Sequence, residues 1–303
     1  MTKDPVKNLA ASIHQRLLNK AKQEGRLFNE VLRHYALERF LYRLSKSPYA
    51  DKLALKGGLM FRVWKVPLSR PTKDIDMLGR TDNSIDNILS MVRDVCTQEV
   101  EPDGLQFDPT TLEAERITED ADYNGVRVKW EGNLGNAQID MRLDIGFSDV
   151  VTPQASLVDY PTLLDLPAPR LYGYSMESVI AEKFEAMVKL GELNSRMKDF
   201  FDIWLLSRTC EFDGLVLAQA IRTTFNTRGT EIPADPVALT DSFAADQSKG
   251  TQWRSFLRTS NLGYVEHDFA KVVTSIAGFL KPLAVALASD QDFAGTWKPR
   301  WGL

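Results

Sequence analysis

The stretch that decides the fold lies between residues 53 and 77. It opens with LALKGGLMFRVW at 53–64, passes through KVPLSRPTK at 65–73 and closes with DIDM at 74–77. Leu53-Ala54-Leu55 reads as a short apolar strand running into Lys56-Gly57-Gly58, and residues 59–64 read as a short helix. Asp74-Ile75-Asp76-Met77 alternates with period two, which predicts a strand. Asp74 and Asp76 then share one face, while Ile75 and Met77 point to the core. Two neighbouring carboxylates repel each other, so the pairing is stable mainly where a divalent cation neutralises it. A glycine pair between strand and helix lets backbone N–H groups approach a phosphate without side-chain interference. Lys56, Gly57 and Gly58 are thus candidate nucleotide-binding residues, and Asp74 and Asp76 candidate metal ligands. The same DxD letters also occur in surface turns without chemistry.

A second strand extends this reading. In Gln138-Ile139-Asp140-Met141-Arg142-Leu143-Asp144-Ile145 the odd positions are apolar and the even ones polar, so Asp140, Arg142 and Asp144 share an open face. Were this strand to lie beside 74–77, one of its acids would complete a three-carboxylate site. Asp144, nearer the strand's end, is the preferred third ligand. Such a triad holds two magnesium ions in nucleotidyl transfer.

Two helices supply the counter-charges. Met176, Val179, Ile180, Phe184, Ala186, Met187 and Leu190 form one apolar stripe at helical spacing, and Lys183 sits in its middle. A core-facing lysine is costly unless an anion pairs with it. Asn194-Ser195-Arg196-Met197-Lys198-Asp199-Phe200-Phe201-Asp202 opens a helix apolar nearly all round, which places Asp199 and Asp202 in its interior. Lys183, Arg196 and Lys198 are their candidate partners. Lys183, Asp199 and Asp202 join Asp74 and Asp76 as candidate catalytic residues, and Arg196 and Lys198 as candidate phosphate binders.

Composition limits the alternatives. With 44% hydrophobic and 26% charged residues the chain reads as globular, with no apolar run or signal-like start, so a cytoplasmic protein without membrane contact is expected. The three histidines have no paired spacing and the two cysteines read as buried free thiols, which argues against zinc and for a hard cation held by carboxylates. GxGxxG, Walker A and GxSxG motifs are absent. Although the net charge is −4, residues 1–80 hold seventeen Lys/Arg against seven Asp/Glu, a candidate basic face for RNA.

Working outward, helices are predicted from Asp4-Pro5 through about residue 17 and over 29–45, 84–97, 176–190, 196–208, 214–225 and 266–288, the last interrupted by Pro282. Strands are expected at 115–119 and 125–131. Prolines 153, 161, 167 and 169 mark a linker, which divides the chain into 1–155 and 156–303, and 229–250 reads as irregular. Trp297, Arg300 and Trp301 are weaker candidates for RNA contact, with packing on the core as the plainer reading.

Together, LALKGGLMFRVW with SRPTKDIDM, QIDMRLDIGFSD, and ESVIAEKFEAMVKLGELNSRMKDFFDIW resemble the AbiEii family of nucleotidyltransferase-like toxins. The resemblance spans about residues 50–210. It implies an α+β fold, a polymerase-β-like nucleotidyltransferase core with a mixed sheet flanked by helices and a helical C-terminal part that contributes to the active site. It further implies use of magnesium and a nucleoside triphosphate, addition of nucleotides to the 3′ end of tRNA, and a cognate antitoxin protein as partner. On this resemblance Asp74 and Asp76 are the metal pair, Asp144 the acid of the third motif strand, Lys183 the family's essential lysine, and Asp199, with Asp202, the later acid. Leu59 departs from the pattern, since the family commonly has Ser or Thr after the glycine pair. A nucleotide- or partner-binding scaffold without transfer, a protein-modifying nucleotidyltransferase and a two-metal nuclease are the alternatives. The expectation common to these readings is that the carboxylates and Lys183 serve one pocket.

Overall fold

The computed structural model describes residues 8–67, 70–119, 123–147 and 150–299. They form two compact units. The first takes in the described residues of 1–64, 71–148 and 156–173, and the second those of 65–70, 149–155 and 174–303. The segment 156–173, expected beyond a boundary at 155, thus packs with the first unit.

The first unit is a seven-stranded mixed sheet with helices on it. Its strands are β1 (Leu53–Lys56), β2 (Ile75–Gly79), β3 (Leu105–Glu119), β4 (Tyr123–Leu134), β5 (Ala137–Phe147), β6 (Ser156–Asp159) and β7 (Arg170–Gly173). Their order across the sheet is β3-β4-β5-β2-β1-β7-β6, with β2 parallel to β5, β1 parallel to β7 and the remaining pairs antiparallel. The helices are α1 (Leu9–Glu24), α2 (Phe28–Lys46), the single turn α3 (Met60–Val63) and α4 (Ile85–Thr97). This is the α+β class, a mixed sheet flanked by helices, that the family resemblance implies.

Local chemistry explains most boundaries. Helix α1 is capped by Asn8, whose side chain accepts from the Ala11 N–H at 3.0 Å, and closes on Gly25 in the left-handed region. The start expected at Asp4-Pro5 lies outside the described residues. β3 and β4 extend beyond the runs expected at 115–119 and 125–131, and the register between them shifts between Asp108 and Glu113. That irregularity absorbs Pro109, which has no N–H to give, on a strand at the sheet's edge.

Helix α2 is buried along nearly its whole length and packs on β5, α1 and α4. Several of its buried residues are polar, and each has work. Arg43 donates to both oxygens of Asp103, at 2.7 and 3.1 Å, and to the Leu105 carbonyl. Glu38 accepts from the Leu163 N–H at 2.6 Å, Arg39 donates to the Pro167 carbonyl, and His34 meets the Tyr160 hydroxyl. These bonds tie the proline-marked segment 160–167 to the core, so it is a fixed strap rather than a free linker.

The second unit is helical: α5 (Met176–Leu190), α6 (Met197–Thr209), α7 (Gly214–Arg228), α8 (Asp241–Ala244), α9 (Gln247–Thr259) and α10 (Phe269–Ala288). A two-stranded ladder joins β8 (Phe212–Asp213) to β9 (Thr296–Trp297). Two expectations are corrected here. Helix α9 was not anticipated; only its first turn falls within the stretch 229–250 read as irregular, and it is mostly polar, burying only Trp253, Leu257 and Lys249. Helix α10 continues through Pro282 instead of breaking there. By length and composition α10 is also apolar enough to cross a membrane, contrary to the sequence reading. Nine of its residues are buried, and it packs against α6, α7, α8 and α9. Trp297 donates from Nε1 to the Ser207 carbonyl at 2.6 Å, the packing role expected of it, while Arg300 and Trp301 lie outside the described residues.

Removing one partner of a buried ion pair strands the other charge. Asp103→Ala, which leaves Arg43 buried without its carboxylate, is therefore expected to lower the unfolding free energy by about 3–5 kcal/mol in urea titrations.

Candidate active site

In the first unit the site is built on three neighbouring strands. Ile75 and Met77 are fully buried while Asp76 between them is only half-buried, as the alternation requires. Asp76 has Lys56 as its cross-strand partner on β1 and Asp144 on β5. The expected adjacency of the two acidic strands is therefore present, residue for residue. Asp74 stands one residue before β2, with its carboxylate about one-third exposed.

The glycine pair acts on Asp76. Gly57 has φ +69°, in the left-handed region, and a Cβ placed on it would overlap the Asp76 carboxylate, lying 2.9 Å from Asp76 Cβ and Cγ. Gly57 is thus glycine both for its backbone and for the space that the acid fills. Gly57–Leu59 forms a short 3₁₀ turn leading into α3, and Gly58 is buried. Leu59, in the position where the resemblance expects a hydroxyl, is 1% exposed and belongs to the core. Lys56 is buried, and its Nζ lies 3.4 Å from where a Cβ on Gly146 would stand.

The third acid is occupied. Arg127 on β4, the cross-strand partner of Asp144, donates from Nε and Nη2 to both of its oxygens at 2.8 Å each. Arg142 Nη1 lies 3.4 Å from Asp74 Oδ2. Among the described residues no three His, Cys, Asp or Glu side chains converge as a metal cluster. The donor set itself, carboxylate oxygens in register on adjacent strands with no sulfur or imidazole, suits a hard divalent cation such as magnesium. Beside Asp74 opens a cavity of about 560 Å³, lined by Asp140, Arg142, Lys129, Glu131 and Glu113 among others.

In the second unit Lys183 occupies the middle of α5's apolar stripe, with its side chain 13% exposed. Its Nζ lies 2.5 Å from Asp199 Oδ1 and 2.9 Å from Asp202 Oδ2, and both acids are 1% exposed. Asp202 is held further by Arg70, whose Nε and Nη2 each donate to it at 3.0 Å. Arg196 Nε reaches Asp199 Oδ2 at 2.7 Å from one turn earlier. Lys198 is exposed, and its charge acts on Asp199 from nearby. Burial alone would push the two acids up and the lysine down. The mutual charges outweigh it, holding Asp199 at about 2, Asp202 below its ordinary value and Lys183 above its own. The opposite side of α5 is covered too: Glu185 is buried and accepts from Arg228 at 2.8 Å and Thr230 at 2.6 Å.

The residues expected around the catalytic centre therefore fall into two groups. Asp74, Asp76, Asp144, Lys56, Gly57 and Gly58 belong to the first unit, and Lys183, Arg196, Lys198, Asp199 and Asp202 to the second. Arg70, Arg127 and Arg142 were not anticipated as their partners. The signal for them was the unpaired acids, but Arg70 is 132 residues from Asp202 in sequence, and no periodicity links the two. The basic N-terminal stretch is also partly consumed inside the fold, since Arg39, Arg43 and Lys56 are buried.

The sheet of the first unit thus carries the paired acids and the helical second unit the cation cluster. The profile of the nucleotidyl transferase AbiEii toxins of type IV toxin–antitoxin systems matches residues 39–275, most of the chain, and the protein belongs to that family. Two solved structures are similar over 94% of this chain. They are JHP933 from Helicobacter pylori (12% identity, TM-score 0.44, 96% of that chain) and a putative nucleotidyltransferase from H. pylori (13%, 0.43, 98%). No curated protein matches the sequence significantly.

Two expectations follow. Gly57→Ala is expected to cost about 1–2 kcal/mol from the backbone alone and to displace Asp76, seen as weakened divalent-cation binding beside a lowered melting temperature. A carboxylate with a depressed folded-state pKa stabilises the fold above its unfolded value and loses that contribution as pH falls through the folded one. For Asp199 that window runs from its ordinary 3.8 down to about 2. Unfolding titrations between pH 4 and 2 are expected to show a loss of about 2 kcal/mol that Asp199→Asn removes.

Proposed function

We propose that this toxin is a magnesium-dependent nucleotidyltransferase that moves a nucleotide from a nucleoside triphosphate to RNA, the 3′ end of tRNA, and thereby blocks translation. The observation that carries the reading is the register of the sheet, in which Asp76, seated against Gly57, stands beside Asp144 with Asp74 two residues earlier. A divalent cation held there would neutralise the triphosphate and activate the attacking oxygen.

The chain's own residues supply the rest. Asp74 and Asp76 are the metal-holding pair and Asp144 the third acid. Lys56, Gly57 and Gly58 form the phosphate-facing turn, with backbone contacts replacing the hydroxyl that Leu59 lacks. In the second unit Lys183, Arg70, Arg196 and Lys198 surround Asp199 and Asp202. Lys183 and Arg196 are the proposed phosphate binders. Asp199 and Asp202 act by fixing Lys183, Arg196 and Arg70 in place. The exposed part of the basic N-terminal stretch, including Arg16, Lys22 and Lys73, is the proposed RNA surface. We place the reaction in the cytosol, where a cognate antitoxin restrains it.

Incubation with each labelled nucleoside triphosphate, magnesium and total tRNA is expected to lengthen tRNA by labelled nucleotides. Asp76→Ala and Lys183→Met are each expected to lower the rate by about 100-fold or more. Shortened RNA would identify a nuclease instead, label on protein a protein-modifying enzyme, and tight triphosphate binding without transfer a binding scaffold.

A further inference from the structure

Four charged residues stand in one row across the first unit's sheet: Lys56 on β1, Asp76 on β2, Asp144 on β5 and Arg127 on β4. Each is the direct cross-strand partner of the next, so the signs run plus, minus, minus, plus along one face. The two acids are neighbours, and like charges this close are stable only with counter-ions beside them. At one end Lys56 is buried with its ammonium near Gly146. At the other, Arg127 engages both oxygens of Asp144 in a two-pronged contact. Arg142, two residues before Asp144 on the same strand face, reaches Asp74 through a single longer contact, Nη1 to Oδ2 at 3.4 Å. A guanidinium in two-pronged contact takes one lone pair on each carboxylate oxygen, on the side where a cation bridging the two oxygens would sit.

We infer that Arg127 is a latch on the metal site: it holds Asp144 in place while the site is empty, and a divalent cation gains Asp144 as a ligand only by displacing the guanidinium. The inference rests on the proposed reading of Asp74 and Asp76 as metal-holding residues. Arg127 is suited to the exchange because its side chain is 29% exposed and can leave toward water without breaking the core. The pair is partly solvated, so it is a modest barrier and not a lock. Arg127 is accordingly a positioning residue. It keeps the acids from repelling one another in the empty protein and sets how much divalent cation is needed to assemble the full ligand set.

Manganese binding, followed by the loss of the free-ion paramagnetic resonance signal on the full chain, tests the latch separately from catalysis. Wild-type protein is expected to bind manganese in a manner that Asp76→Asn abolishes. Arg127→Gln is expected to tighten that binding by about fivefold, the release of one partly exposed ion pair. In an Asp144→Asn background the same Arg127→Gln change is expected to bring no gain, because nothing remains to be unlatched. A gain that persists in that background would show only the removal of a nearby positive charge, and would overturn the proposal, as would unchanged or weaker binding in Arg127→Gln. Binding that Asp76→Asn leaves intact would instead overturn the metal reading on which the latch depends. Should Arg127→Gln not give the wild-type circular dichroism spectrum, Arg127→Lys, which keeps the charge but gives up the two-pronged contact, is expected to tighten binding to a smaller degree, and no tightening would count against the latch.

Discussion

The second unit depends on one buried contact, the ammonium of Lys183 between the carboxylates of Asp199 and Asp202. Each of the three groups would be costly in that position alone, and the cost falls only because all are present. The contact links α5 to α6 at the point where both are otherwise apolar, so it fixes which helix faces meet as well as where the charge lies. Arg70 and Arg196 then anchor on the same acids. The cluster is therefore held in place by its own ion pairs.

The first unit reaches comparable order through sheet register. Fixing Asp76 opposite Lys56 and beside Asp144 needs no side-chain search, since the backbone ladder determines which residues are neighbours. The buried partners Ile75, Met77, Leu143 and Ile145 hold that register because a slip by one residue would exchange them for the acids. Gly57 then limits where the Asp76 carboxylate rests.

How much of this was legible follows from the range of each interaction. The alternation of 138–145, the amphipathic stripes of α4 and α5, and the anomalous lysine at 183 are local patterns, and they were legible as such, while the fold class came from the family resemblance that these motifs together carry. The expected neighbours of Lys183 were also right, since buried acids on the next helix are the nearest opposite charges. What sequence could not show were pairings across long separations, such as Arg70 with Asp202 and Arg127 with Asp144, where many arginines were equally eligible. Local signals failed where composition was atypical. Pro109 hid the first half of β3, the polar surface of α9 hid a helix, and four prolines disguised the strap and its short strands as a linker. The two cysteines were read correctly as free thiols, although only Cys96 is buried and Cys210 is half-exposed.

The two borders of the sheet differ from its interior. On one side β3 carries Pro109 and a break in its ladder, and on the other β6 is only four residues long. Each feature shortens the regular run of backbone donors and acceptors at a border, leaving Glu113–Glu119 on β3 and four residues on β6. An extended peptide adding to this sheet is confined to those short runs, and any longer contact along its borders has to be made by side chains.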